Sequence, residues 1–166
     1  MENKLELRMY FFVAQNISPI YAGIQSGHAA LEYAFHHGDA LNPLFHDFML
    51  YHKTWVILNG GTTNDGHHGQ DIGSLDQIEL DLIENGIKYS RFCEPDLNNA
   101  LTALCFLCDE RVFNKKDYPD FDEESCSNYP LYNEIMLGVA HNEWVKSIGG
   151  EKNEFLRNLL KGKKLA

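Results

Sequence analysis

The sequence contains no apolar run that approaches the ~20 residues a membrane-spanning helix needs. Its first residues, Met1–Arg8, are polar, and the apolar stretch that follows, Met9–Ala14, is too short for a signal peptide and lacks a basic start. We therefore expect a cytoplasmic protein that makes no membrane contact.

Cysteine and positive charge are both scarce. Four cysteines in 166 residues (Cys93, Cys105, Cys108 and Cys126) are typical of reduced thiols and not of a disulfide framework. The chain has 14 Lys and Arg against 24 Asp and Glu, a net charge of −10. Such a chain repels free polyanions such as tRNA at long range, so a nucleic-acid contact needs a local basic patch.

Positive charge is concentrated in Glu151–Ala166, which holds five Lys/Arg and two Asp/Glu. Cations near the end of a helix are favourable because they oppose the negative end of the helix dipole. The pattern therefore favours an ordinary helix terminus over an RNA-binding tail.

Hydropathy and turn signals predict an α/β fold, with a mixed four-stranded sheet flanked by helices in the order β-α-α-β-α-β-β and a C-terminal helical extension. The expected strands are Leu7–Ala14, Thr54–Leu58, Ile87–Cys93 and Thr102–Leu107. The expected helices are 18–36, 41–51, 75–85 (capped by Ser74), 132–148 and 153–161. We expect an α/β domain over residues 1–108, with the acidic loop and helical extension of 109–166 packed on it.

The first helix has an apolar stripe and many small residues. The stripe predicts the buried face, and the small residues predict a close approach to a sheet. Tyr21, Gln25 and His28 follow one another at helical spacing, so a phenol, an amide and an imidazole share one face. That row could line a pocket, but on residue chemistry alone buried structural roles for Gln25 and His28 are favoured. The stripe consists of Ile20, Ile24, Leu31 and Phe35.

The run from Gln25 to Ala29, placed after a strand that ends near Ala14, resembles the type II peptidyl-tRNA hydrolases. In that family the first helix carries a lysine, then a glutamine four residues later, then a His-Ala pair. The order of elements also fits, and Glu94–Leu107 falls where the family has its aspartate-and-threonine loop and Thr-x-Leu strand. The resemblance covers roughly residues 7–107.

Three positions depart from the family pattern. Tyr21 replaces the lysine, and alignment on Thr102 places Ser90 at the aspartate and Glu94 at the inner threonine. A tyrosine can donate a hydrogen bond but brings no positive charge, and Glu94 adds negative charge. Both changes disfavour an anionic tRNA backbone.

The resemblance implies a hydrolase that cleaves peptidyl-tRNA or a smaller nucleotide-linked ester or amide, without a cofactor. Tyr21 and Gln25 would orient the carbonyl, and Glu94 or His28 would activate water. The alternative is a catalytically inactive relative that binds a nucleotide-like ligand or a protein partner. The expected substrate-binding residues are Asp96, Asn98 and Thr102.

The segment after Glu94 is rich in turn formers. Pro95 favours an extended Glu94, and the residues that follow predict a tight turn between strands. If the turn instead borders the pocket, Glu94 and Asp96 could bind a sugar diol, an amine or a metal, or act as a general base.

Three further features have plain interpretations. The loop 65–71 contains His67 and His68, but its glycines favour a surface loop or a lid over a metal site. The Cys105–Cys108 pair lies on a strand, where residues three apart face opposite sides, so it predicts core packing. The apolar side chains of 132–148 predict packing on the sheet or a homodimer through the C-terminal helices.

Overall fold

The computed structural model describes residues 4–39, 42–63, 72–123 and 134–166. The predicted loop at 65–71 and Cys126 lie outside these residues. The chain forms two compact units: one comprises Glu6–Cys108 and Gly162–Ala166, and the other comprises Asp109–Lys161 with Lys4 and Leu5. The predicted packing of 109–166 on the first domain stays a prediction.

The first unit is built on a mixed four-stranded sheet, which confirms the predicted fold class. Strands β1 (Leu7–Ala14), β2 (Thr54–Gly61), β3 (Tyr89–Glu94) and β4 (Ala100–Asp109) stand in the order β2-β1-β4-β3. β1 pairs parallel with β2, and β3 pairs antiparallel with β4. β1 and β4 are buried almost throughout because they are central and apolar side chains project from both faces.

Helix α1 (Pro19–His37) starts as predicted, with Pro19 in its first turn and the Ser18 hydroxyl accepting a hydrogen bond from the Tyr21 amide. Its small residues face the sheet, and the Cys105 thiol donates to the Ala29 carbonyl at 3.2 Å. The predicted buried stripe is wrong: it lies on the outer face of α1 and is exposed. The residues buried instead are Ala22, Gln25, Ser26, Ala29 and Tyr33.

The second predicted helix has two parts. Helix α2 (Pro43–Asp47) continues into a π-helical turn over Phe48–His52. The Lys53 amide closes this turn on the Phe48 carbonyl at 3.1 Å, and Lys53 has a φ of 58°. This wider turn is one that a hydropathy pattern cannot reveal.

Helix α3 (Ser74–Glu84) buries Leu75, Ile78 and Leu82. Ser74 is its first residue and not its cap, which corrects the prediction. The Ser74 hydroxyl donates to the Gly60 carbonyl at 3.0 Å and accepts from the Thr62 amide at 2.9 Å. It thereby ties the end of β2 to the start of α3.

The last residues of the chain belong to the first unit. Leu165 forms an antiparallel bridge with Leu58, and the Ala166 amide donates to the Ile57 carbonyl at 3.1 Å. The Asn59 amide donates to the Lys164 carbonyl at 2.9 Å. The tail therefore covers the outer edge of β2, which would otherwise present unpaired backbone groups.

The second unit contains α4 (Glu110–Phe113), α5 (Glu134–Ser147) and α6 (Glu151–Leu160). Gly149 and Gly150 join α5 to α6 with φ of 96° and 103°, a conformation that favours glycine. Val145 and Ile148 are buried, whereas Ile135 and Val139 are exposed. The predicted homodimer through these helices stays a prediction.

Candidate functional site

The start of α1 and the end of β3 meet through a hydrogen bond between two side chains. Gln25 Nε2 donates to Glu94 Oε2 at 2.7 Å across 69 residues of sequence. The hydrogen bond brings together two of the residues that the resemblance assigns to one site, and their role in a site stays a prediction. Gln25 is buried and Glu94 is half-buried, so the bond lies at the boundary between the core and the surface.

Thr102 on β4 stands behind Gln25. Its hydroxyl lies 2.8 Å from Gln25 Oε1 and 3.3 Å from the Phe92 carbonyl. A hydroxyl has one proton to donate. When Gln25 directs its amide nitrogen toward Glu94, its amide oxygen faces Thr102, and the Thr102 hydroxyl donates its proton to that oxygen. An ionised carboxylate requires that orientation because it only accepts hydrogen bonds. The three side chains thus form one directed chain, from the Thr102 hydroxyl through the Gln25 amide to the Glu94 carboxylate.

Glu94 keeps one carboxylate oxygen available. Among the described residues, Oε2 has the Gln25 amide as its partner and Oε1 has none. The backbone below it is held by the turn, because the Asn99 amide donates to the Glu94 carbonyl at 3.1 Å. A carboxylate with one fixed and one open oxygen can accept a proton from water or a hydrogen bond from a ligand.

The predicted turn after Glu94 is present. Pro95–Leu97 form one turn of 3₁₀ helix, and Asn98 and Asn99 follow with φ of 53° and 57°. Asparagine tolerates this left-handed region better than most residues. Asp96 and Asn98 are exposed on the turn, and the structure shows no bond from either to the Gln25–Glu94 pair.

Tyr21 and His28 flank Gln25 on the exposed side of α1. Tyr21 lies one helical turn before Gln25 and is exposed. The His28 ring is exposed but stacks on Phe92 of β3, with centroids 4.4 Å apart and planes at 20°. Stacking fixes the imidazole beside the site, and no local pattern indicated Phe92 in this role.

His28 also borders an apolar cavity of about 450 Å³ between α1, the π-helical turn and β2. Its walls do not include Gln25, Glu94 or Thr102. The predicted residues are thus brought together in two adjoining places, the Gln25–Glu94 pair and the cavity rim. Residue spacing within α1 did not identify the far wall. That wall includes Phe45, Phe48, Met49 and Trp55.

The surroundings of the site are poor in positive charge. Helix α1 has no lysine or arginine, and residues 6–108 hold four Lys and Arg against twelve Asp and Glu. Arg91 on β3 forms a salt bridge with Glu79, with 3.1 Å between the guanidinium nitrogen and the carboxylate oxygen. Ser90 is buried, and its hydroxyl has no partner among the described residues.

The Cys105 thiol is hydrogen-bonded to the Ala29 carbonyl of α1. Burial raises the pKa of Cys105 to about 12, so the thiol stays protonated at neutral pH. Cys108, three residues on, is also buried. The predicted core role of this pair is confirmed.

Within the residues that the structure describes, no group of three or more His, Cys, Asp or Glu side chains could hold a metal ion. In the same part of the chain, no helix combines the length and the apolar character of a membrane span. Comparisons with models of known protein families and with curated proteins gave no match to this chain.

Proposed function

We propose that this protein is a hydrolase of the type II peptidyl-tRNA hydrolase kind, acting on a nucleotide-linked ester or amide. The observation that supports it is the 2.7 Å hydrogen bond from Gln25 to Glu94. It holds a half-buried carboxylate in a fixed position with one oxygen open, which is what a general base requires.

The proposed reaction begins with a water molecule hydrogen-bonded to Glu94 Oε1. Glu94 takes a proton from the water while the water oxygen attacks the carbonyl carbon of the substrate, and the carbonyl becomes a tetrahedral oxyanion. The Tyr21 hydroxyl donates a hydrogen bond to that oxyanion. Glu94 then returns the proton to the departing oxygen or nitrogen as the bond to the acyl group breaks.

Gln25 and Thr102 act in this proposal through Glu94. Both are buried and already bonded to each other, so they position the carboxylate and do not touch the substrate. Asp96 and Asn98, exposed on the turn after Glu94, supply hydrogen-bonding groups for a ribose.

Charge selects the substrate class within this proposal. Acidic residues outnumber basic ones threefold in residues 6–108, and Tyr21 brings no charge where the family has lysine. A polyanionic tRNA gains little electrostatic attraction at such a site. A smaller nucleotide-linked ester or amide is therefore favoured over intact peptidyl-tRNA.

The test is release of the acyl group from a peptidyl-tRNA analogue and from an aminoacyl ester of a mononucleotide. We expect turnover of the small ester and a loss of about 10²- to 10⁴-fold in kcat for Glu94→Gln. Glu84→Gln, the same change at the exposed end of α3, is the control and should keep full activity. No turnover of either substrate by the intact folded protein would reject the proposal.

A second candidate is a catalytically inactive relative that binds a nucleotide-like ligand. The replacement of the family's lysine by Tyr21 and of its aspartate by Ser90 favours it. Binding without turnover would raise the thermal midpoint of unfolding. At a free ligand concentration a hundred times the dissociation constant, the free energy of unfolding would rise by ~2.7 kcal/mol. Either function is compatible with a reducing cytoplasm, since Cys93, Cys105 and Cys108 are free thiols.

A further inference from the structure

Helix α1 carries large apolar side chains on the face that is turned away from the sheet. Its inner face packs on the sheet, while its outer face exposes Ile20 (77%), Ile24 (45%), Leu31 (70%) and Phe35 (84%). Exposed apolar side chains that are grouped in one patch mark a contact surface. These four side chains, with the two glycines between them, are called the outer face of α1 below.

The outer face has two glycines in the interior of an exposed helix. A Cβ built on Gly23 or Gly27 would meet nothing within 4 Å. Glycine in a helix interior is less favourable than alanine, so each of them weakens the helix. Nothing in the packing of the residues that the structure describes requires a glycine at either position, whereas close approach by a second helix would.

We propose that the outer face of α1 binds the outer face of α1 in a second copy of this chain, with the two helices antiparallel and crossing near Gly27. Large side chains precede Gly27 by three and seven residues (Ile24 and Ile20) and follow it by four and eight (Leu31 and Phe35). A two-fold axis at the glycine therefore places the large residues of each copy opposite those of the other. This self-complementarity is what an isologous interface needs.

The area of the face fits a dimer. Met49 and Trp55 are exposed and line the same cavity as Ile24, Gly27 and Leu31, so they extend the outer face across the cavity. Six exposed apolar side chains of this size present roughly 800 Å², about what each partner buries in a stable protein–protein interface. An exposed patch of that size exceeds what monomers usually carry.

Charge also favours a second copy. The chain has a net charge of −10, so two copies repel each other over most of their surface. Helix α1 has one formally charged residue, Glu32, among its nineteen. Contact through this face therefore brings together the least charged part of two acidic molecules. The inference does not depend on the proposed hydrolysis.

Sedimentation velocity of the full chain at 1–100 µM tests the proposal. We expect a wild-type dimer and a dissociation constant raised at least about 100-fold by Leu31→Glu, because two carboxylates then enter one apolar contact. Two controls should remain dimeric. Ile83→Glu changes an exposed apolar residue of α3, and Val139→Glu changes the surface of α5 that the alternative dimer would use.

Cross-linking gives a readout that does not depend on how well Leu31→Glu folds. Gly27→Cys should form an intermolecular disulfide under mild oxidation, since the two residues meet at the crossing. Gly138→Cys on α5, another glycine with open space around it, should cross-link no more than wild type. A wild-type monomer at 100 µM, a Leu31→Glu dimer of unchanged affinity, or dissociation by Val139→Glu alone would each overturn the proposal. The first outcome would leave the face to a different protein partner.

Discussion

The amide oxygen and the amide nitrogen of Gln25 both form hydrogen bonds within the protein. The oxygen accepts from Thr102 at 2.8 Å and the nitrogen donates to Glu94 at 2.7 Å. Water cannot replace the bond to Thr102 without opening α1 from the sheet, because Gln25 and Thr102 are both buried, whereas the bond to Glu94 lies partly exposed. The position of the Glu94 carboxylate is therefore set from within the core.

Removing the Thr102 hydroxyl should destabilise the fold. Thr102→Val keeps the shape but leaves Gln25 Oε1 buried without a donor, which costs about 1–3 kcal/mol. Thr102→Ser retains the hydroxyl and should cost less than about 1 kcal/mol. Urea unfolding of the two variants measures the difference; equal losses would show that the hydroxyl does not support Gln25.

Gln25→Ala should reduce activity or ligand binding and leave the helix content near wild type, because the variant keeps a good helix former in α1. Far-ultraviolet circular dichroism and the ester assay provide the two readouts. If the variant fails to fold, Gln25 is a structural residue and its contact with Glu94 is incidental.

Individual residues were predicted from the sequence unevenly. The row Tyr21–Gln25–His28 and the Pro95 turn were identifiable, since helical spacing and turn chemistry are local properties. The bond between Gln25 and Glu94 spans 69 residues, and only the resemblance indicated that the two segments meet. The stacking of His28 on Phe92 depends on strand register, which local patterns do not determine.

At the scale of elements, Arg157 of α6 organises the second unit. Its buried guanidinium donates to the Arg111 and Tyr118 carbonyls and to Asp120. Partial burial opposes the ionised form of Asp120, but hydrogen bonds and charge from Lys115 and Arg157 outweigh it and lower the pKa of Asp120. An arginine fits because its fork reaches three acceptors at once.

Arg157→Met should destabilise the second unit by about 1–3 kcal/mol, because two carbonyls lose their donor. Lys115 is the other cation that contacts Asp120, with Lys115 Nζ 2.6 Å from Asp120 Oδ1. Because this pair is exposed, Lys115→Met should change the free energy of unfolding by less than about 1 kcal/mol. Thermal unfolding monitored by tryptophan fluorescence in a Trp55→Phe background reports on this unit, since the remaining Trp144 ring lies 5.5 Å from the Arg157 guanidinium. Equal effects would show that the carbonyl bonds contribute nothing.

Helix α1 shows why an apolar stripe can misidentify the buried face. The periodicity of large apolar residues selected Ile20, Ile24, Leu31 and Phe35, which are exposed. A helix that packs closely on a sheet needs small residues at the contact, and Ala22, Ser26 and Ala29 provide them. Hydropathy measures apolar character and not size, so it favoured the wrong side of a helix that is apolar on both.

At the scale of the whole molecule, element order and fold class were predictable because each strand and helix has a clear local signal. All four strands and the helices α1 and α3 fall within a few residues of their predicted bounds. The order of the strands in the sheet and the pairing of Lys164–Ala166 with β2 could not be predicted. Both depend on contacts between distant segments.

The buried phenols and thiol of the first unit predict a loss of stability at alkaline pH. Burial raises the pKa of Tyr33 and of Tyr10 from 10.0 to about 12, and that of Cys105 from 9.0 to about 12. Between those values the unfolded chain loses protons that the folded chain keeps. The contribution of these groups to the free energy of unfolding is therefore fully present below pH 9 and is lost as the pH rises toward 12. Urea unfolding at several pH values between 8 and 11 measures the slope.

Tyr33→Phe should make that decline shallower, by about 1 kcal/mol at pH 11, because the variant removes one of the groups that titrate. The comparison uses slopes and not absolute stabilities, since Phe also loses the hydroxyl's own hydrogen bond. An unchanged slope would mean that Tyr33 ionises equally in both states.

The strip formed by Lys164–Ala166 along β2 means that the sheet is completed from the far end of the chain. A polypeptide truncated after Asp109 would retain every strand and yet uncover the outer backbone of β2. Such fragments are expected to recruit one another by edge-to-edge strand addition and to accumulate as aggregates during expression. A synthetic peptide of the last five residues, added in excess, should compete for that border and keep the fragment dispersed.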